Sequence, residues 1–337
     1  MRKFIIVFVF FLGIAFVILS FSELQNVVDT LEHGNLWFIA LAFLVETLWL
    51  FNIGLTFRTL YRLLGLEADG FHLAVVATAA NFVNVIAPSA GMGGIAVFIN
   101  DRKQGNHPPG KVTVAGALFV LFDYLAFLCV LALGLIVLIR RNNLNAGEIT
   151  ASLILLVIAS ILAFLLYLGS RSADALGNAL AWIARLANRL TRPFIHRQYL
   201  SEERAHIFAS EVAGGLTELR GQPKKLIIPI LLSLSNKALL ICVLMLIFLA
   251  FKVPFSAGTL VGGFAIGYLF LIVSPTPSGI GVVEGVLALA LNSLRVPWSQ
   301  AVIITLAYRG VTLWFPLALG ALAFRRLHLE NQHETSP

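Results

Sequence analysis

The chain is poor in charge and almost without cysteine. Only 12% of its 337 residues are Asp, Glu, Lys or Arg, about half the usual share, while 59% are apolar. A soluble domain could not cover so much apolar surface, so the composition excludes the soluble classes and leaves a polytopic helical membrane protein. The two cysteines, Cys129 and Cys242, lie inside apolar runs, which rules out a disulfide framework and marks them as small core residues. The seven histidines have no metal-ligand spacing, so neither a metal site nor a cofactor is expected. No phosphate-binding glycine loop and no Ser-His-Asp set is present, so no catalytic residue is assigned and ATP-driven work by this chain alone is not expected. The net charge of +7 sits mainly in loops beside apolar runs, where a membrane surface accounts for it and nucleic acid need not.

Long apolar runs are abundant. Residues 4–21, 36–57, 112–139, 149–168, 226–251 and 298–324 are each long enough to span a bilayer. The loop after the first run carries Glu23, Asp29 and Glu32 with no Lys or Arg, which places it outside. Arg58, Arg62, Arg102, Lys103 and Lys111 mark an inner side. Residues 171–224 form the one long polar stretch, basic on balance, with Leu176, Leu180, Ile183, Leu186 and Leu190 at helical spacing. It is expected in the cytoplasm, either as an amphipathic helix on the membrane or as a solvated helical hairpin between two membrane halves. Both termini are expected on that side.

Two apolar segments are broken by residues a span has no routine use for. Residues 273–285 read VSPTPSGIGVVEG, and residues 81–94 read NFVNVIAPSAGMGG. Proline cannot continue a helix, whereas a Pro-Ser-Gly stretch can start one with its amides available to an anion. The expected helix starts are Pro277, Ser278, Gly279 and Gly281 in one stretch, and Pro88, Ser89, Gly91 and Gly93, with Asn84 before them, in the other. Each broken segment yields pieces shorter than the roughly 30 Å hydrocarbon core, so two re-entrant hairpins are predicted alongside about six full spans.

The two halves repeat one order of features. Residues 36–139 and 226–326 each hold a span with a central charge (Glu46, Lys237), a broken hairpin, and a span with a charge beside a tyrosine (Asp123 with Tyr124, Arg309 with Tyr308). Glu46 to Pro88 is 42 residues and Lys237 to Pro277 is 40; Pro88 to Asp123 is 35 and Pro277 to Arg309 is 32. Loop charges give the units opposite directions, so the repeat is inverted, as in transporters that bind substrate between discontinuous helices at the midplane. Left unpaired, Glu46, Asp123, Lys237, Glu284 and Arg309 would cost on the order of 12 to 18 kcal/mol in the bilayer, so they pair or face water. The sequence leaves their partners open. Structural ion pairs and a polar path for a headgroup or proton both fit, and Glu284 and Arg309 favour the path because an arginine fork suits a phosphate.

The PTPSGIGVVEG and NxxNxxxPSxGxGG stretches, with Tyr308, Arg309, Gly310 and Trp314, resemble the lysylphosphatidylglycerol synthase transmembrane family over nearly the whole chain. That family includes the flippase half of the multiple peptide resistance factor. The resemblance implies a lipid-translocating membrane domain of the bacterial plasma (inner) membrane. Glu284 and Arg309 are then functional positions, with Asp123 or Glu46 as the acidic counterpart in the first half. The expected partners are an anionic or modified phospholipid or a polyprenyl-linked lipid, and a second copy or a lipid-synthesis enzyme. The aminoacyl-transferase domain of the bifunctional protein is not expected within these 337 residues, and the lipid stays open. The competing readings are a membrane component of a glycosyl- or aminoacyl-lipid transferase and a scaffold for lipid synthesis.

Overall fold

The computed structural model describes residues 27–86, 92–101, 107–140, 146–191, 202–219, 223–274 and 276–333. Among them every regular element is helical. These are α1 (Leu36–Leu63), α2 (Gly70–Ile86), α3 (Met92–Asn100), α4 (Pro109–Arg140), α5 (Ala146–Arg171), α6 (Ala173–Thr191), α7 (Glu202–Leu219), α8 (Ile227–Ala250), α9 (Ala257–Val273), α10 (Val282–Ser293), α11 (Trp298–Arg309) and α12 (Phe315–His333). A helix satisfies its backbone internally, which is what hydrocarbon demands. Five stretches are long and apolar enough to cross: α1, α4, α5, α8 with its lead-in, and α11 through α12. The chain is an all-α, multi-pass membrane protein. The expected first span, residues 4–21, lies outside the described residues, as do Pro88, Ser89 and Gly91.

On α5, Leu153, Val157, Ile161 and Phe164 are each more than half exposed and fall on one helical face, as a surface turned to lipid should. The broken segments form helix pairs. With 17, 9, 17 and 12 residues, α2, α3, α9 and α10 reach about 26, 14, 26 and 18 Å, all short of the hydrocarbon core. In each segment the two pieces pack against one another.

The contacts divide the chain into two compact units, each drawn from separated stretches: one from 1–48, 131–148 and 239–318, the other from 49–130, 149–238 and 319–337. In the first, α9 turns glycines toward α10: a Cβ on Gly263 would stand 2.6 Å from Leu291, and one on Gly267 would stand 3.2 Å from Leu287. Removing those side chains lets the helices approach closely, and Leu138, Ile266, Ala290 and Leu294 close the core beside them. In the second unit Phe57 stacks on Phe98 at 4.2 Å and on Phe119 at 4.6 Å, tying α1 to the α2–α3 pair and α4. Gly54 brings α1 onto Ala74 of α2, where a Cβ would lie 2.6 Å from the Ala74 backbone. The Lys111 ammonium donates to the Leu64 carbonyl at 2.9 Å, a cation at the negative end of α1.

The loop between α1 and α2 is pinned electrostatically. Asp69 accepts from the His72 amide at 3.0 Å, and His72 Nε2 meets Asp101 at 2.8 Å. The His72 amide, seconded by those of Phe71 and Gly70, holds the Asp69 carboxyl below the usual carboxylate range.

The polar stretch resolves into α6 and α7, which pack together as a helical hairpin. Leu176 and Ala181 of α6 are buried with Ala209, Val212, Ala213 and Leu216 of α7, while Trp182 and Ile183 stay exposed. The apolar stripe of α6 is thus only partly spent on its neighbour.

Candidate functional site

In the first unit the break between α9 and α10 is a turn of left-handed residues. Ser278, Gly279 and Gly281 have φ of 49°, 69° and 81°. Pro277 opens a single 3₁₀ turn that ends at Gly279, and α10 begins only at Val282, with Gly281 as its cap. This corrects the sequence-based expectation of a helix starting at Ser278: that residue's backbone is left-handed, which no right-handed helix can include. A serine held there is strained, and such strain persists only where the surroundings over-determine it.

The second correction concerns the helix start itself, which is not an open row of amides. Glu284, in the first turn of α10, reaches back so that one carboxylate oxygen accepts from the Gly281 amide at 2.6 Å. The other oxygen takes the Arg309 Nε of α11, and Arg309 Nη2 donates to the Ser278 carbonyl at 2.8 Å. One carboxylate therefore occupies both the partial positive charge of a helix N-terminus and half of a guanidinium fork. The arginine side chain is 4% exposed and the glutamate 14%, so the pair is nearly dry. Directly after Arg309 the helix widens into a π turn, Gly310–Trp314, a feature invisible in the apolar pattern and frequent where a helix carries function. Tyr308 is buried beside it.

Glu46 also belongs to the first unit. It is fully buried, and neither carboxylate oxygen has a hydrogen-bond partner among the described residues.

The second unit holds the other predicted charges. Lys237 of α8, 1% exposed, binds Asp123 of α4 at 2.6 Å, with Asp123 15% exposed. Beside it is a polar cluster that charge counting missed. The Asn52 amide nitrogen lies 2.8 Å from Asn236 Oδ1, 2.8 Å from Ser235 Oγ and 3.0 Å from the Leu232 carbonyl. Asn52 and Asn236 within apolar runs were the available signal. Asn84 serves the α2–α3 pair directly: its side-chain oxygen accepts from the Gly94 amide at 2.7 Å, binding the two pieces together. Gly93 lies in α3. A cavity of about 860 Å³ in this unit, lined by residues including Arg62, Glu67, Asp69, His72 and Arg326, touches none of the sequence-predicted site residues.

The family described as the lysylphosphatidylglycerol synthase TM region matches residues 4–320. The chain belongs to this family. No curated protein and no solved structure matches it. Membership makes it a membrane protein with a lipid-related role, and the match takes in both broken segments, both ion pairs and Glu46.

Proposed function

We propose that the protein is a lipid flippase, moving an anionic or modified phospholipid, or a polyprenyl-linked lipid, across the bacterial inner membrane. The observation that carries this reading is the double engagement of Glu284. A buried arginine and a helix amide together hold an anion, and here the anion is the protein's own. A lipid phosphodiester has the same charge and acceptor geometry, and it can replace the carboxylate on Arg309. Exchange between an internal and an external anion gives two states, which alternating access requires. The shared order of charges and breaks in the two halves, with loop charges that give them opposite directions, supports the same architecture, and the Lys237–Asp123 pair joins a charge from each repeat. Both termini and residues 171–224 are on the cytoplasmic side, and a second copy or a lipid-synthesis enzyme is the protein partner.

The test is binding and translocation of a fluorescent phosphatidylglycerol measured separately in proteoliposomes. Arg309→Lys keeps the charge but loses the fork and should retain part of the rate; Arg309→Ala should retain almost none. Glu284→Gln should bind the lipid as tightly or more so and release it slowly. Wild-type translocation by both Arg309→Ala and Glu284→Gln would overturn the mechanism.

A further inference from the structure

Glu46 is the one described membrane charge that the Arg309–Glu284 and Lys237–Asp123 pairs leave over. It sits in α1 with no exposed surface, and among the described residues neither carboxylate oxygen has a donor. Packing closes the site. Phe43, three residues before Glu46, meets Phe315 edge-to-face at 4.9 Å, which lays this part of α1 against the start of α12. Among the described residues of this unit, the other titratable groups in apolar helices are Cys242, Tyr268, Glu284, Tyr308 and Arg309, with Arg140 and Glu148 at the helix ends of α4 and α5. Arg309, the cation inside the span, already spends its fork on Glu284 and Ser278, and Arg140 is the last residue of α4. Thr305, one turn before Tyr308, also buries a hydroxyl that has no partner among the described residues, and it donates to neither Glu46 oxygen.

Removing an ionised carboxylate from water without a donor or cation costs several kcal/mol. The species that fits the described surroundings is the neutral acid, and the one ligand that needs no cavity is a proton. We infer that Glu46 is a proton-binding site, and that lipid binding at Arg309 is linked to proton uptake there. This rests on the flippase reading for its lipid half alone.

The linkage follows from charge. With Arg309 on Glu284 the pair is neutral. When a phosphodiester takes the arginine and Glu284 is displaced, the region gains one negative charge. An ionised Glu46 would add a second in a low-dielectric site, and a protonated one adds none. On the alkaline side, where the lipid-free carboxyl gives up its proton, the step is an O–H bond formed on Glu46 from a bulk proton as lipid binds, and broken with release of that proton to water as lipid leaves. Tyr308, the residue before Arg309 in α11, is buried as well. A pH gradient could then set the direction of lipid movement, because linked binding is reciprocal.

Three measurements on the full chain test this. Infrared difference spectra of the lipid-free protein at neutral pH should show a protonated-carboxyl band that Glu46→Gln removes; identical spectra would overturn the inference, whatever the protein transports. Binding of fluorescent phosphatidylglycerol should weaken by about tenfold per pH unit on the alkaline side in wild type and stay flat in Glu46→Gln. Parallel profiles would overturn it. An imposed pH gradient should change the translocation rate of wild type and not of Glu46→Gln; a wild-type rate indifferent to the gradient removes the coupling and leaves the flippase standing. No wild-type translocation under any gradient would instead defeat the flippase reading, with the infrared result still deciding Glu46. If Glu46→Gln does not accumulate, Glu46→Leu, which removes both orphan acceptors, serves in the same comparisons.

Discussion

Replacing Gly281 by alanine isolates the conformational demand of the α10 cap from packing. A Cβ at Gly281 would meet nothing within 4 Å, so no steric conflict is added. What remains is its φ of 81° with ψ of −34°, a region that side-chain-bearing residues rarely occupy. The cost should be about 1 to 3 kcal/mol. Gly285, four residues on and inside α10, also has open space around an added Cβ, but it has an ordinary helical backbone. Gly285→Ala should therefore gain about 0.8 to 1 kcal/mol, since alanine is the better helix former. The two substitutions share chemistry and free volume and differ only in dihedral angle, so their stabilities should move in opposite directions. Gly281→Ala should also misdirect the amide that holds Glu284, loosening the carboxylate from the helix start and raising lipid exchange relative to the amount of folded protein. Thermal unfolding in detergent, read with both variants beside wild type, is the assay. Equal shifts for the two alanines would refute the left-handed cap. Gly279 gives no such clean comparison, because its added Cβ would press on Val283 as well as strain the backbone.

Asn84→Ala should cost about 1 to 3 kcal/mol by leaving the Gly94 amide unsatisfied, seen as a lower unfolding temperature without any change in membrane insertion. Lys237→Met should cost about 3 to 5 kcal/mol because Asp123 keeps a buried charge, and adding Asp123→Asn should recover much of that; additive losses in the double-variant cycle would show the two do not pair. Asp69 has a depressed folded value, so its contribution is present above the ordinary carboxylate range near 4 and is lost as pH falls through the folded value. Asp69→Asn should flatten the acid limb of the stability profile, and an unchanged limb would remove Asp69 from the argument. Single cysteines labelled from outside should react at residues 33–35, ahead of α1, and not at residue 106; strong external labelling at 106 would mean that the first broken segment crosses.

The spans, the two breaks and the all-helical class were legible in the sequence because each depends on local quantities: the length of an apolar run, and the incapacity of proline to donate a backbone hydrogen bond. The identity of Glu284 and Arg309 as an unusual pair of charges was legible for the same reason, since charge in hydrocarbon is costly wherever it falls. Their partners were not. Whether Asp123 meets Lys237, 114 residues away, depends on the rotation of two helices about their axes, and a helix pattern apolar on every face does not record it. The start of α10 moved from Ser278 to Val282 because the turn with left-handed Ser278, Gly279 and Gly281 is held in part by Arg309, whose contact to Ser278 spans 31 residues and lies outside any local window. Glu46 looked in sequence like the other membrane charges; only packing, which supplied the others with partners and gave it none, sets it apart.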